Sequence, residues 1–337
     1  YDAIAQTRDA QNYIREHDDK KPFLLVLSWG PPHNPYETAP EKYRAMFARL
    51  TDAKGFRYNP ESIRLRPNVP AAMAEKARKD LAGYYAHCTA LDACVGDLLQ
   101  TIHKKGIEDD TIFVFTSDHG DMLGSQGEQR KQRPWDEAIR VPFLLRYPAI
   151  FGHQPQELDA LIDAPDILPT LLGLCGLPIP ETVEGLDFSN YMQVRAAIPS
   201  IGGGEDPSDG AAVIMCLHPF GEWARRQAIH EDNPLAPFGK GEAERSEHGR
   251  EYRGLRTRRY TYVRTLEGPW LLYDNNEDPY QLNNLIDNQK YSQVQQNLDA
   301  WLQRKLDAMG DEFMPGMDYI RKWNYIVNGT GTVPYTT

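Results

Sequence analysis

The chain has 337 residues, 41% of them hydrophobic and 25% charged, with a formal net charge of −11. That length exceeds what one compact unit usually holds, and the composition is that of a folded globular protein rather than a disordered one. The acidic balance argues against nucleic acid as a partner, so an anionic ligand has to meet a local basic patch, and no run of about 18 apolar residues is present to span a membrane.

Residues 3–16 have helix-forming composition, with Ile4, Tyr13 and Ile14 as apolar anchors, and lead into Phe23-Leu-Leu-Val-Leu-Ser28. The unbroken apolarity of that run predicts a central strand covered on both faces. It stops at Gly30-Pro31-Pro32. In Pro32-His33-Asn34-Pro35 the prolines exclude helix for the residues before them, which places His33 on a stiff loop. Leu81, Tyr84, Tyr85, Cys88, Leu91, Val95, Leu98, Leu99 and Ile102 recur at three- and four-residue intervals and predict a helix over about 71–105, stopped by Gly106.

Thr111-Ile-Phe-Val-Phe-Thr-Ser-Asp-His-Gly-Asp121 is an apolar strand that ends abruptly in Asp118 and His119. A polar loop over 122–134 and a second buried strand over 138–147 follow. Residues 163–176 read as a helix with Pro165 in its first turn and Gly176 at its end. Between 199 and 250 the chain is rich in Gly, Pro and charge, and reads as substrate-facing loop around a strand at 212–217. Residues 252–257, 260–264 and 270–273 predict an antiparallel meander. Tyr291, Val294, Leu298, Trp301, Leu302 and Leu306 then mark an amphipathic helix over 291–309 that covers it. The class is α/β: a mostly parallel central sheet flanked by helices over 1–200, then a smaller C-terminal antiparallel sheet plus helix over 201–337. Four cysteines, Cys88, Cys94, Cys175 and Cys216, lack both metal-site spacing and disulfide-framework density and read as buried thiols.

In an open parallel sheet, ligands bind beyond the carboxyl ends of the strands, which is where Asp118 and His119 fall. A carboxylate oxygen and an imidazole nitrogen there suit a divalent cation, Ca²⁺ or Mg²⁺. The same pair also reads as a turn-capping aspartate beside a satisfied interior histidine. Asp121 reads as a solvated loop charge or as a hydrogen-bond support for the pair. His33 could give a proton to a departing oxygen, because imidazole titrates near neutral pH, or could be a surface histidine. Glu128-Gln-Arg-Lys-Gln-Arg133 concentrates cations in an acidic chain, and Lys131 within it suits an anionic substrate, although a solvated basic turn has the same appearance.

Taken together, these blocks resemble the formylglycine-dependent sulfatases of the alkaline phosphatase superfamily. The resemblance is carried by Thr116-Ser-Asp-His-Gly-Asp-Met-Leu-Gly-Ser-Gln-Gly127, Lys131, Trp135-Asp-Glu-Ala-Ile-Arg-Val-Pro142, Pro32-His-Asn-Pro35, Asp166-Ile-Leu-Pro-Thr-Leu-Leu172 and Leu255-Arg-Thr-Arg-Arg-Tyr-Thr-Tyr-Val-Arg264. It runs through nearly the whole chain. It implies a sulfuric ester hydrolase acting on a sulfated sugar or polysaccharide, with Asp118 and His119 as metal ligands, the histidine standing where many members have asparagine. It further implies Lys131 as a contact to the sulfate and His33 as the leaving-group acid. His218 and Arg66 are candidate substrate contacts, as are Arg253 and Arg256. A periplasmic or secreted location follows from the same resemblance.

The departure from the family pattern is large. Members carry two metal-binding aspartates after their first strand and then Cys-x-Pro-Ser-x-Arg, whose cysteine becomes formylglycine; none of the four cysteines here is followed by that sequence. The expectation is therefore a sulfatase whose nucleophile comes from an N-terminal polypeptide segment of the same protein, and whose chain alone is inactive. A phosphate or phosphonate ester hydrolase of the same superfamily, and a noncatalytic binding remnant, are the alternatives.

Overall fold

The computed structural model describes residues 1–18, 20–51, 55–58, 63–197, 206–216 and 251–324. The chain divides into two compact units, Tyr1–Lys131 with Arg140–Glu157, and Gln132–Ile139 with Leu158–Thr337. The fold is α/β, and among the described residues no helix is long and apolar enough to cross a membrane.

In the first unit, α1 (Asp2–Glu16) is followed by α2 (Glu41–Phe47), the hairpin β1 (Ala48–Thr51) and β2 (Gly55–Tyr58), and the long helix α3 (Ala74–Lys105). Helices α1 and α3 meet through small and aliphatic residues: Ala10 and Ile14 pack with Leu98 and Ile102, and Ala3 packs with Leu91 and Cys94. Helix α3 ends as its sequence requires. Gly106 takes a left-handed φ of 75°, and its amide returns to the carbonyls of Ile102 and His103. The pair β3 (Phe113–Thr116) and β4 (Phe143–Arg146) is antiparallel, with Phe113 opposite Arg146 and Thr116 opposite Phe143, and α4 (Pro148–Phe151) follows.

Three expectations change here. Phe23–Ser28 is not a strand, because it has no hydrogen-bonded neighbour among the described residues. It runs extended, with Leu27 and Trp29 packed against the α1–α3 cluster, while Leu24 and Val26 face outward at 85% and 80% exposure. Apolarity on both faces identified a segment suited to a sheet interior, but pairing depends on partners that composition does not specify. Every ladder among the described residues is antiparallel, so the parallel pairing expected of the first part is not seen there. The cysteines also divide: Cys94 and Cys216 are buried, whereas Cys88 and Cys175 are exposed. Cys88 lies six residues before Cys94 on α3, about 120° around the helix, which turns it away from the α1 contact.

The second unit holds α5 (Ile167–Leu174), α6 (Ser189–Ala197), a four-stranded antiparallel sheet, α7 (Ser292–Met309) and α8 (Gly316–Lys322). The sheet is β5 (Ala211–Cys216), β6 (Tyr252–Thr257), β7 (Tyr260–Thr265) and β8 (Gly268–Asp274), paired in chain order. Leu298, Leu302 and Leu306, spaced four apart on α7, form one stripe packed on Leu255, Tyr262 and Leu272 of the sheet. This meander and its covering helix match the alternation and the 3.6-residue period in the sequence.

Candidate active site

Strand β3 stops at Thr116, and the next three residues form a tight polar turn. The Ser117 hydroxyl donates to the His119 carbonyl at 2.9 Å, and the His119 amide donates to Asp118 Oδ1 at 3.0 Å. Asp118 thus caps the turn with one oxygen and keeps the other for a ligand. Its Oδ2 lies 3.4 Å from His119 Nε2, with the side chains 84% and 30% exposed. His119 is therefore not an interior histidine. Its Nδ1 is 2.7 Å from the Gly120 carbonyl, which can only accept, so Nδ1 carries the proton and the Nε2 lone pair faces Asp118. Two electron-rich atoms at that spacing need a positive charge between them, either a second imidazole proton or a cation. The donor set fits a divalent cation, with Asp118 and His119 supplying two of the six to eight ligands that Ca²⁺ takes.

Asp121, three residues further on, is buried in hydrogen bonds rather than solvated. Its Oδ1 accepts from the amides of Leu123 and Arg130, both at 3.1 Å, and its Oδ2 accepts from the Tyr36 hydroxyl at 2.6 Å. The Met122 amide donates to the Arg130 carbonyl at 2.7 Å, and that of Gly124 to the Glu128 carbonyl at 2.8 Å. The loop therefore doubles back and sets Arg130, the residue before Lys131, against Asp121 and Met122. The fold-back uses left-handed backbone at Leu123, Gln126, Arg130 and Gln132, each a conformation that costs a non-glycine residue on the order of 1 kcal/mol. Such strain persists only where surrounding contacts over-determine it, as Asp121 does here.

Tyr36 joins this hub to the His33 loop, and sequence reasoning missed it. Nothing in an isolated tyrosine after Pro35 signals a partner 85 residues away. Burial, and then the hydrogen bond to Asp121, push its phenol well above the ordinary range, so it stays a donor. Gly83 makes its approach possible: a Cβ there would meet the Tyr36 carbonyl oxygen at 2.4 Å. At the other end of the loop, buried His87 lies 2.9 Å from the Tyr1 hydroxyl and 3.4 Å from the Pro35 carbonyl, and burial lowers its pKa.

The remaining predicted residues fall as follows. His33 is exposed, with Nδ1 2.8 Å from the Asn34 carbonyl, which leaves Nε2 outward. Lys131 is half-buried and has no hydrogen-bond or ion-pair partner among the described residues. Arg66 is exposed on a turn tied to the Lys131 loop by the Gln126 amide, which donates to the Asn68 carbonyl at 2.8 Å. His218 lies outside the described residues. Arg253 and Arg256 are not surface cations waiting for a saccharide. Arg253 is wholly buried and bonded through two nitrogens to Asp311, and Arg256 forms a two-point pair with Asp136.

Asp118 and His119 thus stand together just past the end of β3, and Lys131 closes the loop that follows them. Residues 2–177 match the sequence profile of the Sulfatase family. The chain is 38% identical over 340 residues to an ulvan-active sulfatase of Formosa agariphila, covering 99% of this chain and 58% of that one. It is 32% identical over 278 residues to an endo-4-O-sulfatase of Bacteroides thetaiotaomicron, 80% of this chain and 48% of that protein. A solved Bacteroides thetaiotaomicron structure from work on glycosaminoglycan metabolism superposes with a TM-score of 0.71 at 26% identity, covering 99% of this chain and 62% of the other. The chain belongs to the sulfatase family, and it spans about half to three-fifths of the relatives it matches.

Proposed function

We propose that this chain is the metal- and sulfate-handling portion of a sulfuric ester hydrolase acting on a sulfated polysaccharide. The observation that carries the reading is the convergence of Asp118 Oδ2 and His119 Nε2 at 3.4 Å, with the imidazole proton held on the far nitrogen. A divalent cation of the calcium or magnesium type, when bound, supplies charge neutralisation at the ester oxygens. Asp118 and His119 hold it. Lys131 sets an ammonium against the sulfate, where a preorganised positive charge stabilises the charge that develops as the ester breaks. His33, with Nε2 outward, would give the departing alcohol oxygen its proton when a nucleophile replaces that oxygen at sulfur. The ulvan-active relative and the structural neighbour from glycosaminoglycan metabolism support a polysaccharide as the substrate class.

The family's formylglycine derives from a cysteine in Cys-x-Pro-Ser-x-Arg, and none of the four cysteines here has that context. We infer that an N-terminal polypeptide of the same protein supplies it, and that the chain alone does not turn over. The test assays a generic aryl sulfate with the chain alone and with the chain joined to that segment. Turnover is expected only in the second case, falling about 10²- to 10³-fold on Lys131→Ala. Full turnover by the chain alone contradicts the reading, and faster hydrolysis of a phosphonate monoester than of the sulfate favours the phosphonate alternative.

A further inference from the structure

At the other end of the β3–β4 ladder a second set of ligand-bearing side chains comes together. Glu108 and Asp109 precede β3 and His153 follows α4, and each offers a ligand atom within 4.8 Å of the other two. Among the described residues this is the one such group of three. The backbone holds it in place: Phe113 pairs with Arg146 at this end of the ladder, and the Ala149 amide donates to the Asp109 carbonyl at 3.2 Å. Asp118 and His119 follow Thr116 at the opposite end, so the two sets are separate.

The internal geometry is that of ligands rather than of a closed hydrogen-bond network. His153 Nε2 lies 3.7 Å from Asp109 Oδ1, too far for a hydrogen bond. It is close to the tetrahedral edge of about 3.3–3.6 Å that follows from metal–ligand bonds of about 2.0–2.2 Å. From the last turn of α3, His103 Nδ1 contacts Glu108 Oε2 at 2.6 Å, and Arg146 lies 3.8 Å from Glu108 Oε1. Glu108 is thus oriented from two sides, as outer-shell partners orient a metal-binding carboxylate. Arg146 offsets one of the two carboxylate charges, which leaves a net negative cluster with an imidazole at its edge.

We propose that Glu108, Asp109 and His153 form a surface site for a borderline divalent cation of the zinc class, with His103 holding Glu108 in position. An imidazole beside two carboxylates favours Zn²⁺ over the harder Ca²⁺ and Mg²⁺. An ion there joins the loop entering β3 to the loop leaving α4 and clips that end of the ladder. Its existence does not depend on the reaction proposed above.

The test strips the protein with a chelator, then titrates zinc chloride alone by calorimetry and follows thermal unfolding. A saturable zinc equivalent and a raised Tm are expected in the wild type, since a ligand that binds only the folded state stabilises it. His153→Ala and Asp109→Asn, both at exposed positions, keep the fold by circular dichroism but bind at least about tenfold more weakly and lose the Tm rise. Absence of a saturable equivalent overturns the proposal. Zinc binding in both variants as in the wild type also overturns it, showing adventitious surface coordination only.

Discussion

Two basic regions of this chain read alike as sequence and differ as structure. The C-terminal meander carries Arg253, Arg256, Arg259 and Arg264, and each is committed to an aspartate: Asp311, Asp136, Asp274 and Asp299 respectively. The loop over 121–131 carries Lys131, which has no such partner among the described residues. A paired arginine is part of the fold, whereas a half-buried ammonium with no counter-charge among the described residues is the one the proposed reading assigns to an anion. What separates scaffold from candidate site is the presence of a local counter-charge, not the cation itself.

This contrast can be broken first at its strongest point. Asp311→Ala strands a fully buried guanidinium and is expected to cost about 3–5 kcal/mol, measured by urea unfolding. A cost near zero would place Arg253 among the exchangeable surface cations. The same pair sets a pH dependence. Burial alone would raise the Asp311 carboxyl, but hydrogen bonds from Arg253, the Phe313 amide and Tyr319 outweigh it and hold the carboxyl below its ordinary value. Its contribution is therefore present above the unfolded-state pKa and is lost as pH falls through the lower folded value. The Arg253-containing unit should weaken in acid, and Asp311→Asn should flatten that dependence in thermal melts.

Tyr36→Phe comes next. Removing a donor from a charged, half-buried acceptor costs about 1.5–3 kcal/mol, and the loss should appear as faster hydrogen exchange at the Leu123 and Arg130 amides. Gly83→Ala reaches the same hub sterically, because its new Cβ must displace the Tyr36 backbone; a cost of about 1–3 kcal/mol is expected in denaturant titration. The smallest stability effect belongs to Lys131→Ala, within about 0.5 kcal/mol, since no described partner is lost. A large destabilisation there would erase the distinction between the two regions.

How much of this could be read from residues alone follows from which interactions are local. The stop of α3 at Gly106, the Leu298–Leu302–Leu306 stripe and the meander rest on period and turn chemistry, and they stand as read. The place of Asp118 and His119 at the end of β3 was legible because they are adjacent and follow an apolar run. Phe23–Ser28 was not, because strand pairing is a property of neighbours and not of the run itself. Nor were Tyr36 and Gly83, whose roles exist only where the Tyr36 backbone meets Gly83 and its hydroxyl meets Asp121. Arg253 and Arg256 were misread for the same reason: the sequence shows their charge but not the distant aspartates that neutralise it.

The account rests on a cation held by Asp118 and His119, and the most direct measurement is the calcium dependence of aryl sulfate turnover in the protein supplied with a segment that carries Cys-x-Pro-Ser-x-Arg, compared with its Asp118→Asn variant. The account predicts that turnover saturates with calcium and that the variant loses it, or needs far higher calcium, while the two melt at the same temperature when no calcium is added. Equal turnover and equal calcium dependence in the two proteins would contradict it.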